Sequence, residues 1–408
     1  MKNRSNYPRF MLLWAGSMIS QIGGGLTSFG LGVYIFQQTG SAASMAVVTL
    51  LGFLPTLLLS VPAGVLADRY DRRLLMMIGD GCSAVGILYI LLCMMSGGAT
   101  LSQICTGVFI SSFFSALLEP SFRATITDLL TREEYSRASG LVSLAGSARY
   151  LFSPVIAGFL LTISDIKLLL IIDICTFFLT VVSTAVVRKG IGSKAAEKKD
   201  SFLQSMKAGW RVLRANRGIL ILVVISSAIT LFMGEFQILA EPLILSFSDA
   251  KTLGIAETIC ACGILVSGVL LGVKGLKGHY VRILGLAFIA AGLFMLGFGL
   301  FESIIPICLF GFLFFMTLPL ANNCLDYLMR TNIPEDAQGR AWGLIGFISQ
   351  LGYVVAYALA GTAADTLGQI GGRGVGRGAA LVVMIAGICM AATAAVILIP
   401  KNIRKLEQ

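Results

Sequence analysis

Charge is scarce in this sequence. Of its 408 residues only 13% are Asp, Glu, Lys or Arg, against roughly 25% in an ordinary soluble domain. That deficit excludes a soluble globular enzyme. The 56% apolar content and the mean hydropathy of +0.87 exclude a disordered chain as well. Histidine is nearly missing: His279 stands alone, so neither a His-rich metal site nor a His-based proton relay can be built. No G-x-x-x-x-G-K-S/T loop occurs, which argues against ATP-driven work. The nine cysteines have no zinc-ligand spacing and lie mostly inside apolar runs. They read as small hydrophobes, and no metal or cofactor is expected.

Long apolar runs fill the chain instead. They fall near 10–36, 43–66, 74–95, 99–122, 138–163, 167–187, 218–246, 252–273, 282–302, 304–328, 341–366 and 378–399. A membrane-crossing helix needs about 20 apolar residues, so each run is a candidate span. The expected class is an all-α membrane protein of twelve transmembrane helices. The first run lacks a small-residue cleavage site and continues past Phe36, so it reads as a span and not a removed signal. The net charge of +10 is explained by orientation, not by nucleic acid. With the N-terminus in the cytoplasm, twenty-five Lys and Arg face inside and four, Lys167, Lys251, Arg373 and Arg377, face outside. Both termini are then expected in the cytoplasm.

The longest polar stretch divides the chain into 1–187, a linker at 188–217 and 218–408. The linker's later part mixes Phe202, Leu203, Met206 and Trp210 with basic residues. It reads as an amphipathic helix on the inner membrane surface, with a plain solvated linker as the alternative. An internal repeat supports the division. Arg137-Ala-Ser-Gly-Leu141 returns as Arg340-Ala-Trp-Gly-Leu344, and at the same offset Tyr150 matches Tyr353. Two pseudo-symmetric six-helix bundles follow.

One loop carries the most specific motif. Between the second and third runs the chain reads Gly64-Val-Leu-Ala-Asp68-Arg69-Tyr70-Asp71-Arg72-Arg73. Gly64 would permit close helix packing. Asp68 would cap a helix N-terminus, where free N–H groups favour an anion. Arg69, Arg72 and Arg73 would bind carboxylates or carbonyls at the inner interface. The loop resembles the G-x-x-x-D-R-x-x-R-R signature of the major facilitator superfamily. The opening RFMLLWAGSMISQIGGGLTSFGLGVYIFQQTGSA, together with EPSFRATITDLLTREEYSRASGLV and GRAWGLIGFISQLGYVVAYALAG, is similar to the drug-efflux branch that includes macrolide exporters. The resemblance implies that Gly64, Asp68, Arg69, Arg72 and Arg73 form a conformational latch. Asp68 would meet the start of the eleventh helix near Gly339-Arg340, and Arg72 a carboxylate such as Glu119 or Asp128. Two departures stand out: Gly24 replaces an acidic residue common in the first helix of that branch, and Ser153-Pro154-Val-Ile-Ala157-Gly158 is a degraded form of the antiporter G-P-x-x-G-G pattern.

Ionisable groups at membrane depth are costly and so are functional candidates. Arg149 lies about 16 Å into the fifth helix and Glu235 about 25 Å into the seventh. Asp80 falls in the third helix and is read with the latch. Glu119 and Asp326 fall near inner ends, Glu257 in the outer part of the eighth helix, and Glu241 and Asp365 near outer ends. Asn322, Asn323 and Asp326 share a helix face by spacing. By the resemblance, helices one, four, seven and ten line a central cavity, so Glu235, Arg149, Asn322, Asn323, Asp326 and Glu119 are candidates for coupling or substrate contact. Phe29, Phe113, Phe114, Phe236, Phe314 and Phe315 stand near presumed cavity faces. The function implied is a monomeric secondary exporter of amphipathic small molecules, working by alternating access with proton antiport. A lipid transporter on the same fold and a non-transporting membrane sensor are the rival readings. Protons, membrane lipids and the substrate are the expected partners, and the protein is no enzyme.

Overall fold

A computed structural model describes residues 6–189, 210–211, 214, 217–276, 278–333, 338–398 and 406. The helices in the first part are α1 (Tyr7–Thr39), α2 (Ala42–Arg69), α3 (Arg72–Met95), α4 (Leu101–Ser115), α5 (Leu118–Leu129), α6 (Tyr135–Ile163) and α7 (Ile166–Arg188). Those in the second part are α8 (Arg217–Leu245), α9 (Ala250–Lys274), α10 (Tyr280–Leu300), α11 (Ile304–Asn332), α12 (Gln338–Ile370) and α13 (Gly374–Ile397). Among the described residues twelve spans are long and apolar enough to cross a bilayer, with α4 and α5 together forming the fourth. The apolar run at 99–122 is therefore extended to Leu129 but broken at Ala116-Leu117. Pro120 causes the break, because it has no N–H to offer the carbonyl of Ala116. The surface helix expected over 188–217 lies mostly outside the described residues.

The chain forms two compact units. Unit 1 comprises Met1–Gln38 and Val47–Lys198; unit 2 comprises Thr39–Ala46 and Lys199–Gln408. The repeated pentapeptides occupy matching places: Arg137 is the third residue of α6, and Arg340 the third of α12.

Several helix starts are written into the local sequence. Asp71, Asp165 and Asp249 each precede a helix and accept a backbone N–H from its first turn, at 3.1, 3.1 and 2.8 Å. Thr100 opens α4 with a reciprocal box to Gln103. Each satisfies donors that the helix itself leaves free.

Within unit 1, α1 lies on α7 through small residues. Gly16, Gly23 and Gly30 recur every seventh position. A side chain at any of them would run into Ser183, Thr176 or Leu169 of α7, themselves seven apart. In lipid, where apolar burial gives helices no reason to associate, such close approach supplies the contact. In unit 2, α8 and α12 meet in the same manner. Gly234 faces Tyr353 and Ala356, Gly352 faces Ser227 and Thr230, and the Thr230 hydroxyl donates to the Ser349 carbonyl at 2.5 Å. The aromatics sort differently from the cavity-facing expectation. Phe29, Phe236 and Phe314 are buried, and Phe236 packs against Phe298, Phe314 and Phe315 within unit 2. They are core, not wall.

Candidate functional site

The charged turn between α2 and α3 builds a compact network inside unit 1. Asp71 caps α3 and accepts the Arg188 Nε–H at 2.7 Å. Burial by itself would raise the Asp71 carboxyl, but the hydrogen bonds from Arg188 and Arg73 outweigh it and hold the group below its ordinary value. Arg72 spreads its guanidinium over three acceptors: the Ala67 carbonyl at 3.2 Å, the Ala124 carbonyl at 3.0 Å and the Asp128 carboxylate at 2.8 Å. Arg73, only 2% exposed, reaches the other Asp128 oxygen at 3.5 Å. Asp68 lies 3.9 Å from Arg72, and Arg69 is exposed. The side chains of Gly339 and Arg340, the partners expected for Asp68, lie outside the described residues.

Three expectations meet the structure here. Gly64 has no neighbour among the described residues close enough to crowd a side chain. Glu119 pairs with Arg123 of its own helix at 2.7 Å, and Asp128 takes Arg72 instead. Asp80 makes none of the latch's contacts among the described residues: it is 2% exposed within α3 and has no hydrogen bond or ion pair there.

Asp173 went unnoticed in the sequence. It sits in α7 at 1% exposure and accepts the Thr27 hydroxyl of α1 at 2.6 Å. Arg149 of α6 donates to Ser28, the next residue of α1, at 3.2 Å, and forms no ion pair among the described residues. The triplet Gly23-Gly24-Gly25 shapes this seam. Gly23 faces Asp173 and Thr176, Gly25 faces Ser153 and Arg149, and Gly24 faces open space. Ser153 of the degraded antiporter pattern donates to the Ile22 carbonyl at 3.0 Å, tying α6 to α1 beside Pro154. The signal that marks Asp173 is a lone carboxyl within the apolar run LLLIIDICTFF.

In unit 2, Glu235 sits on α8 between Gly234 and Phe236, both buried. It is partly exposed and has no hydrogen bond or ion pair among the described residues. Two residues on, exposed Gln237 accepts the Tyr357 hydroxyl at 2.8 Å. Asn322 and Asn323 are exposed on α11. Asp326 is exposed too, 3.5 Å from Arg330.

Twelve candidate spans, a charged network at one turn and polar groups placed along the apolar helices are the marks of a polytopic membrane protein. The chain belongs to the Major Facilitator Superfamily, whose family model matches residues 13–357. It is similar to Macrolide efflux protein A of Streptococcus pyogenes, 26% identical over 374 residues, covering 88% of this chain and 90% of that protein. It is also similar to the Enterobactin exporter EntS of Escherichia coli O6:K15:H31, 27% identical over 377 residues, covering 87% of this chain and 85% of that protein. Among solved structures it resembles the POT family transporter PepTSo with a TM-score of 0.76 at 13% identity, covering 97% and 99% of the two chains. That likeness is one of fold.

Proposed function

We propose that this protein is a secondary exporter of bulky amphipathic small molecules of the macrolide kind. It works in a bacterial inner membrane with both termini cytoplasmic, by alternating access, and inward proton movement supplies the drive. Efflux relatives along most of the chain support export over import. The observation that carries proton coupling is Glu235, a partly exposed membrane carboxyl without a described partner. A carboxyl held by a fixed cation keeps its charge, whereas one that meets water on one side and substrate on the other can take up and release a proton in turn. Arg149, Asn322 and Asn323 supply polar contacts for the substrate. Arg72, Arg73 and Asp128 keep the α2–α3 turn rigid, so that Asp68 and Arg69 present a fixed charge pattern.

Glu235→Gln tests this in proteoliposomes. Gradient-driven macrolide movement is expected to disappear, while gradient-free exchange of labelled for unlabelled macrolide persists. Unchanged gradient-driven movement in the variant refutes Glu235 as the coupling group. Movement of a fluorescent phospholipid in place of macrolide would favour the lipid-transporter reading.

A further inference from the structure

Within unit 1, α1 carries one polar face at membrane depth. Ser17, Gln21, Gly24 and Ser28 recur at i, i+4, i+7 and i+11, so they line one side of the helix. None of the four is buried, whereas Gly23, Gly25, Leu26 and Thr27 beside them are. Arg149 of α6 lies against this face. Gly25 gives it room, because a Cβ there would stand 3.2 Å from the Arg149 Cγ. Gly24 opens onto free space, with nothing among the described residues within 4 Å of where its side chain would start. One turn before Arg149, Gly146 stands opposite the Gln21 carboxamide.

The hydrogen bonding of Arg149 sets it apart from the structural cations of the same unit. Arg72 reaches two carbonyls and the Asp128 carboxylate, and Arg73 reaches that carboxylate too. Arg149 stands midway along α6, Tyr135–Ile163, too far from either end for its side chain to reach an interface. Of its N–H donors one is used among the described residues, on the Ser28 hydroxyl at 3.2 Å, and Ser28 is itself exposed. The buried carboxyl of the seam, Asp173, is held by Thr27 and makes no ion pair with Arg149. A guanidinium at membrane depth is costly without an accompanying anion. No described residue of unit 1 supplies that anion, and a ligand can.

We infer that Arg149 and the polar face of α1 form an oxyanion site, and that the exported substrates include amphiphiles with a carboxylate head. This rests on the export reading above and adds a head group to it. The guanidinium fork matches a carboxylate through two parallel N–H bonds. Ser28 accepts from Arg149 and keeps its own O–H to donate. The space at Gly24 admits the head beside the guanidinium.

Binding to the full-length protein in an uncharged detergent tests it, with dansylaminoundecanoate and its primary amide as matched probes. The parent is expected to bind the carboxylate about tenfold more tightly than the amide, the effect of one charge-assisted bond. Arg149→Gln should abolish that preference. Arg149→Lys, which keeps the charge and loses the fork, should keep part of it. Gly24→Val fills the space and leaves Arg149 in place. It should weaken the carboxylate probe about tenfold while melting as the parent does, which an arginine that only braces α6 would not produce. Equal affinity of the parent for the two probes, or a preference that survives Arg149→Gln, overturns the proposal. Displacement of the probe by dihexanoylphosphatidylglycerol at lower concentration than by undecanoate gives the site to a lipid headgroup and overturns the substrate class. If the parent shows the preference but moves neither the carboxylate probe nor a macrolide into proteoliposomes, the export reading fails and the oxyanion site stands.

Discussion

Asp128→Asn separates a structural ion pair from an ornamental one. Asp128 faces two guanidiniums, Arg72 at 2.8 Å and Arg73 at 3.5 Å, and the Arg72–Asp128 side chains are only 18% and 23% exposed. The variant keeps one acceptor oxygen and nearly the same shape but deletes the charge. Arg72 retains its bonds to the Ala67 and Ala124 carbonyls, so the loss falls short of the 3–5 kcal/mol for breaking a fully buried pair. It exceeds the 0–1 kcal/mol of an exposed pair, and about 2 kcal/mol is the working figure. For a unit of this size a kilocalorie moves the melting temperature by about 2–4 °C, so a fall of about 4–8 °C follows. Scanning fluorimetry in detergent reads it, with Trp14 of unit 1 as a reporter. Glu119→Gln is the internal control. Its partner is Arg123, the two side chains are 74% and 70% exposed, and its loss should leave melting unchanged. Equal melting of Asp128→Asn and the parent refutes the claim that this network holds the α2–α3 turn.

Gly23 and Gly24 provide a second contrast. Valine at Gly23 meets Thr176 and Asp173 and should cost about 1–3 kcal/mol by overpacking. Valine at Gly24 meets nothing within reach and should leave folding intact, which thermal melting of the two variants side by side will show. The Asp71 carboxyl adds a pH dependence. Its folded value lies below the ordinary 3.8, so its contribution is full above the unfolded value and is lost as pH falls through the folded one. The melting difference between the parent and Asp71→Asn should therefore hold at neutral pH and shrink only as pH drops below the ordinary 3.8 toward the folded value. A difference that does not shrink at all between neutral pH and the acid range below 3.8 contradicts the assignment.

The membrane spans were legible because the bilayer imposes one long apolar run per crossing, and charge between runs is rare enough to mark each turn. The fourth span shows the limit of that signal. Its end is polar, and the sequence stops looking apolar at 122 while the helix continues to Leu129. Local chemistry was legible where partners are close in sequence or the motif is dense, as with Asp71 and the arginines beside it. Even there the choice between Glu119 and Asp128 as the partner of Arg72 needed coordinates, because both lie within reach of the turn by residue count. Asp173 is marked in the sequence as a lone carboxyl in an apolar run, but nothing near it names its partner. Its donor, Thr27, lies 146 positions away.

Vectorial movement of drug against protons is the most direct measurement. The purified protein is placed in liposomes with an acidic lumen and neutral exterior, and labelled macrolide is added outside. The account requires macrolide to concentrate in the lumen as protons leave, and a protonophore to abolish the accumulation. Luminal label no higher than in protein-free liposomes, with the gradient intact, would contradict it.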